Sequence, residues 1–136
     1  MTRFSITLDE AINFTVNSFS KMIGGEIFVP KIPSYNIVDL VKAINNKPKI
    51  KIIGIRAGEK LHEEMISEHD SINTLEGKDH YVILPNTDSF DYNLSGYLRI
   101  KNNLEYKKIN KFFSYNNKKK NNFLSISNLK KIIANN

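Results

Sequence analysis

The sequence predicts a small mixed α/β domain with few strands. Three observations predict it. Thr7-Leu8-Asp9-Glu10 has capping-box spacing and leads into apolar residues at helical period. Short β-branched runs bounded by prolines alternate with the helical segments. No glycine-rich loop follows a strand and opens a helix, because Gly24-Gly25 follows a helix instead. The phosphate-cradling turn of a dinucleotide site is therefore not read here.

Each element has its own signal. In the capping box, Thr7 accepts from the amide of the third helical residue and Glu10 reaches back to Thr7. Ile12, Val16, Phe19 and Ile23 then share one apolar stripe on a helix ended by Gly24-Gly25. Glu26-Ile27-Phe28-Val29 reads as a strand stopped by Pro30 and Pro33. A second helix runs from about Val38 to Asn46 and buries Val38, Leu40, Val41 and Ile44. After Pro48, the β-branched run Ile50 to Ile55 reads as a buried central strand. Ser67 is placed to cap a short helical turn. His80-Tyr81-Val82-Ile83-Leu84 is a strand closed by Pro85. A last helix, capped by Ser125 or Ser127, has Leu129, Ile132 and Ile133 on its apolar face. The expected organisation is a domain over 1–85, a basic Asn/Lys-rich and partly disordered excursion over 86–122, and a C-terminal helix over 123–136.

The 136 residues suffice for one domain with a core. The absence of cysteine excludes disulfides, thiolate metal sites and cysteine nucleophiles. No run of about 18 apolar residues occurs, so no membrane span is expected. Met1 to Glu10 carries acids where a signal peptide has its apolar core, which points to a cytoplasmic location. The net charge of +6 is unevenly spread. Residues 1–98 hold 10 basic and 13 acidic residues, whereas 99–136 hold 10 basic residues and Glu105 alone. That tail reads as a solvated segment. Tyr97 beside it and Tyr106, Phe112, Phe113 and Tyr115 within it make no ordered stacking motif, so nucleic acid is not the expected partner.

The chemistry concentrates in Gly54-Ile55-Arg56-Ala57-Gly58-Glu59-Lys60-Leu61-His62-Glu63-Glu64. Loops at strand ends are common ligand sites in α/β proteins. The planar Arg56 guanidinium suits an anion, because it donates two parallel hydrogen bonds to one phosphate. A surface salt bridge to Glu59 or Glu63 is the competing role. Glu59 and Lys60 read as loop-ordering residues. His62 has no second His or Cys at ligand spacing and reads as a structural hydrogen-bonder rather than a metal ligand or base. Glu63 and Glu64 are adjacent and do not converge on one bond, so they are not an acid/base pair. Tyr35 is followed four residues later by Asp39, so a Tyr-x-x-x-Lys dyad is missing there. Tyr115 and Lys119 have that spacing but lie in the polar tail.

Long ordered motifs carry a family resemblance. They are Met1-Thr2-Arg3-Phe4, Ile6-Thr7-Leu8-Asp9-Glu10-Ala11, Gly24 to Ser34, and Ile53-Gly54-Ile55-Arg56 with Gly58 to Ser67. Together they resemble the C-terminal part of the inverting UDP-N-acetylglucosamine 4,6-dehydratases and the related polysaccharide-biosynthesis epimerases. These are extended short-chain dehydrogenase/reductases (SDRs). The resemblance covers residues 1–85 and resumes at Tyr115, at Asn121 to Ser125 and in the last helix. It implies a small C-terminal substrate-binding lobe of an extended SDR, lacking the Rossmann domain that binds NADP and carries the catalytic Tyr-x-x-x-Lys. The implied chemistry is oxidation at the sugar C4, loss of water across C5–C6 and return of the hydride, to which this chain contributes binding alone. By the family pattern, Arg56 contacts the diphosphate or its nucleotide, Arg3, at the domain junction, helps to hold the substrate or to orient the cofactor domain, and Asn121 falls near a substrate-touching position. No catalytic residue and no metal ligand is implied. NADP belongs to the full-length family and is not expected to bind this fragment. The implied partners are a UDP-sugar, an N-terminal Rossmann half on a separate polypeptide and, for the full-length family, further copies of itself. The sequence departs from the pattern at Ala57, where the family commonly has Pro, across 90–115, and in Lys118-Lys119-Lys120. The alternative is a non-catalytic binding module or inactive gene remnant whose basic tail engages an anionic partner.

Overall fold

The capping box forms as its spacing requires. Thr7 N–H donates to Glu10 Oε2 at 2.8 Å and Glu10 N–H to Thr7 Oγ1 at 3.3 Å, which satisfies amides that the first helical turn leaves open. The computed structural model describes residues 1–85, 106–118 and 122–134. In chain order the elements are β1 (Thr2–Phe4), α1 (Leu8–Lys21), β2 (Ile27–Pro30), β3 (Ser34–Asn36), α2 (Ile37–Ile44), β4 (Glu64–Ile66), a 3-10 turn (Asp70–Asn73), β5 (Thr74–Glu76), β6 (His80–Ile83), β7 (Lys107–Lys108), β8 (Tyr115–Asn116) and α3 (Ile126–Ala134). They divide into two units. The first takes Met1–Ile6, Ile32–Glu64 and Asn116–Asn136, and the second takes Thr7–Lys31 and Met65–Tyr115.

The second unit is built on a four-stranded sheet of order β2-β6-β5-β7, antiparallel throughout. Leu75 pairs with Val82 across the β5–β6 ladder, and these two form the core with Leu84 and Tyr106. The period-two rule puts His80, Val82 and Leu84 on one side, and all three are buried. The β5–β6 hairpin closes at Gly77, whose amide donates to His80 O at 2.8 Å. A Cβ there would lie 3.1 Å from both His80 O and Tyr106 Cε1, so a side chain would need the His80 carbonyl or the Tyr106 ring to give by a few tenths of an ångström. The N-cap position of the 3-10 turn is His69, which makes no side-chain cap; Ser67 lies further back, its Oγ accepting from Asp70 N–H at 3.2 Å.

The helix α1 packs on a face other than its apolar stripe. Ala11, Phe14, Ser18 and Lys21 are its less exposed positions, and Phe14 packs edge-on to the His80 ring at 6.1 Å. The apolar stripe faces outward, with Val16 63% and Phe19 76% exposed; only Ile23, beyond the helix, reaches the core. Periodicity states which residues share a face, not which neighbour that face meets.

The first unit pairs β1 with β3 antiparallel, and Phe123 bridges Ser34 in parallel. Asn36 caps α2 by accepting from Val38 N–H at 2.8 Å, and α2 packs on α3. Ser125 caps α3, its Oγ accepting from Asn128 N–H at 3.2 Å, and Leu129 is buried as expected. In α2 the buried residue is Ala43, while Val38 and Ile44 stay exposed and Leu40 and Val41 are half-buried. The run Ile50 to Ile55 is not a strand. It is irregular and open, with Ile52 92% exposed. A β-branched run becomes a strand only when an edge pairs with it, and no described strand does so here. The architecture is a small mixed α/β chain without a parallel Rossmann sheet among the described residues.

Candidate functional site

The first unit holds both the Arg56 loop and a buried polar cluster. Gly54 and Gly58 take positive φ (85° and 80°), which turns the chain around Arg56. Glu59 N–H donates to Arg56 O at 3.1 Å and closes that turn. The Glu59 carboxylate then accepts from Arg56 N–H at 3.0 Å and from Arg56 Nη2 at 2.8 Å. These bonds raise the Arg56 guanidinium above its ordinary value and lower the Glu59 carboxyl below its own. Glu59 thus orders the loop. Arg56 remains at the surface, its side chain 76% exposed.

Thr2 is buried on β1, where its amide donates to Leu61 O at 2.9 Å. Its hydroxyl lies 2.7 Å from His62 Nδ1 and 2.7 Å from Asn117 Oδ1. Asn117 is 1% exposed and joins the cluster from the third segment. Its Oδ1 also accepts from Glu63 N–H at 2.8 Å, and its Nδ2 donates to Glu63 Oε2 at 3.1 Å. Phe4 N–H donates to the same Glu63 oxygen at 2.8 Å. Arg3 Nη1 donates to Thr2 O at 2.6 Å, and its Nε lies 3.6 Å from Glu63 Oε1. The cluster therefore ties residues 2–4, 61–63 and 117 together.

Of the expected ligand residues, Arg56 and Arg3 both lie in this unit, each beside a glutamate. Asn121 lies outside the described residues. Asn117 was missed by the sequence reading. It sits in an Asn/Lys-rich stretch where one buried asparagine has no signature. Among the described residues no group of three or more His, Cys, Asp or Glu is placed to hold a metal.

The second unit has its own polar feature. His80 Nδ1 lies 2.6 Å from Asp79 Oδ1, which lowers the Asp79 carboxyl, and His80 Nε2 lies 3.0 Å from Tyr106 Oη. A cavity of about 240 Å³ beside them is lined by Phe14, Asn17, Ser18, Lys21, Asp79 and His80. An open cleft of about 300 Å³ includes Ile72, Lys108, Asn110, Lys111 and Phe112 in its lining.

Residues 1–85 match the protein-family model described as "Polysaccharide biosynthesis protein". The chain belongs to this family. Within the polysaccharide biosynthesis family, it is 54% identical over 85 residues to the UDP-N-acetylglucosamine 4,6-dehydratase (inverting) of Campylobacter jejuni serotype O:2, covering 62% of this chain and 25% of that protein. It is 30% identical over 139 residues to a UDP-glucose 4-epimerase of Rickettsia bellii, covering 99% of this chain and 39% of the epimerase. A solved structure titled "X-ray structure of Pen from Bacillus thuringiensis" superposes with a TM-score of 0.73 at 26% identity, over 99% of this chain and 39% of that one. The chain thus spans a quarter of the dehydratase's length and well under half of the others. The relationship to a dehydratase family raises the question of a dinucleotide. The described residues do not fit one: Gly24-Gly25 follows α1 and precedes β2, the reverse of a strand–glycine loop–helix order. Among the described residues, no helix is long and apolar enough to cross a membrane.

Proposed function

We propose that this chain is the nucleotide-sugar-binding part of a UDP-N-acetylglucosamine 4,6-dehydratase of surface polysaccharide or glycan biosynthesis. The 54% identity over 85 residues, together with the family match over residues 1–85 that includes the whole Arg56 to Glu64 block, carries the reading. In it, Arg56 takes the diphosphate, Arg3 lies at the junction with a cofactor-binding domain, and Asn121 contacts the substrate. The chain orients the sugar-nucleotide, and a Rossmann domain with NADP performs the redox and elimination steps in the cytoplasm. The Arg56–Glu59 pair is compatible with this role. An exposed ion pair is weak in water, and a diphosphate offers the same fork a doubly charged acceptor.

Calorimetric titration with UDP-N-acetylglucosamine tests the reading. Arg56→Ala is expected to weaken binding by about tenfold or more, as for loss of a charge-assisted hydrogen bond. Equal affinity for the two proteins would sink the phosphate role. A second reading, a binding module whose basic tail meets an anionic partner, has one observation in its favour. Lys108 and Lys111 line the same cleft as Phe112. Anion binding that is lost with Lys108 and Lys111 but not with Arg56 would favour it.

A further inference from the structure

The hydrogens of the Thr2 cluster can be placed one at a time. Glu63 N–H donates to Asn117 Oδ1, so that atom is the amide oxygen, and Nδ2 faces the Glu63 carboxylate, which only accepts. The reversed amide would set NH₂ against N–H and C=O against carboxylate, two repulsions in a buried site. Thr2 Oγ1 lies 2.7 Å from the same Oδ1, so its single hydroxyl hydrogen is used there. That leaves the Thr2 oxygen only able to accept from His62 Nδ1, also 2.7 Å away. His62 Nδ1 therefore carries the hydrogen, and the neutral ring presents a bare lone pair at Nε2. His62 Nε2 has no hydrogen-bond partner among the described residues, and the residue is half-buried rather than enclosed.

We propose that His62 Nε2 accepts a hydrogen bond from a sugar hydroxyl of the bound nucleotide-sugar. In the neutral ring this tautomer decides the ligand class. A bare nitrogen attracts a hydroxyl and repels a phosphate oxygen, so within the one loop Arg56 reads the diphosphate and neutral His62 reads the sugar. The ring is held by Thr2 before any ligand arrives, which removes the ordering cost of the contact. His62 is then a specificity residue as well as the structural hydrogen-bonder read from the sequence. This inference rests on the nucleotide-sugar reading above.

The test uses the full chain labelled with ¹⁵N at its three histidines, His62 being assigned by comparison with His62→Gln. Without ligand, long-range ¹H–¹⁵N correlation is expected to show His62 protonated at Nδ1 and bare at Nε2. UDP-N-acetylglucosamine should then move the Nε2 resonance, and UDP alone should not. In calorimetry, His62→Gln should lose about five- to tenfold in affinity for UDP-N-acetylglucosamine and keep its affinity for UDP. The Nε2–H tautomer would overturn the proposal, as would an unmoved Nε2 while the sugar-nucleotide binds. Equal losses for both ligands would reduce His62 to a structural role and also overturn it. If the wild-type chain binds neither ligand, the nucleotide-sugar reading itself fails and takes the sugar contact with it, a result distinct from every one of these.

Discussion

Asn117 satisfies a backbone amide, a hydroxyl and a carboxylate at once, and it does so almost without exposure. Removing one member of such a network leaves the others desolvated and unpaired, which costs about 1–3 kcal/mol. Thr2→Val keeps the shape and deletes the hydroxyl that joins His62 to Asn117. It is expected to lower stability in urea denaturation by that amount, while Thr2→Ser stays near wild type; a valine variant as stable as wild type would refute the network's role. The capping box makes a pH prediction. The Thr7 amide holds the Glu10 carboxyl below its ordinary value near 4.5. A depressed folded value contributes stability that is present above the ordinary value and lost as pH falls through the folded one. The melting temperature of wild type should therefore drop more steeply below that value than that of Glu10→Gln, and parallel curves would disprove the contribution. The capping box and the Arg56–Glu59 pair were legible because their partners are three residues apart. The Thr2–His62–Asn117 cluster was not, because its members are 60 and 115 positions from Thr2.

At the scale of elements, the helices and the proline-bounded strands β2 and β6 follow from local signals. Ser125, Asn36 and Thr7 each supply an oxygen to an open amide at a helix start, and such caps act within one turn. The Ile50 to Ile55 run reads as a buried strand on apolar content, yet apolar content does not supply a neighbour, and Val16 and Phe19 of α1 stay exposed for the same reason. The consequence is measurable in α1. Phe14→Ala, on the packed face beside His80, is expected to cost about 2 kcal/mol in urea denaturation. The double change Ile12→Glu with Phe19→Glu, on the outward face, should move stability by no more than about 0.5 kcal/mol. The opposite ranking would mean that the stripe is the packed face after all.

For the molecule as a whole, the outward apolar residues of α1 and the open isoleucines of the 50–55 run are the features a longer relative would have reason to cover. Apolar surface left in water promotes association. Sedimentation velocity is expected to show self-association that rises with protein concentration and is reduced by the Ile12→Glu, Phe19→Glu change. A monomer at every concentration, with and without the change, would show that the stripe drives no association.

The sequence by itself determined the family, the mixed α/β class, the helix caps and the loop in which Arg56 and Glu59 meet. Each of those depends on residues within a few positions of one another or on long ordered motifs. Only the tertiary structure decided which face of α1 is packed, that Ile50 to Ile55 stays out of a sheet, and that Asn117 closes on Thr2 and Glu63. These depend on which distant segments meet. Hydrogen-bond valence then fixes what no sequence pattern could, the nitrogen of His62 that carries its proton.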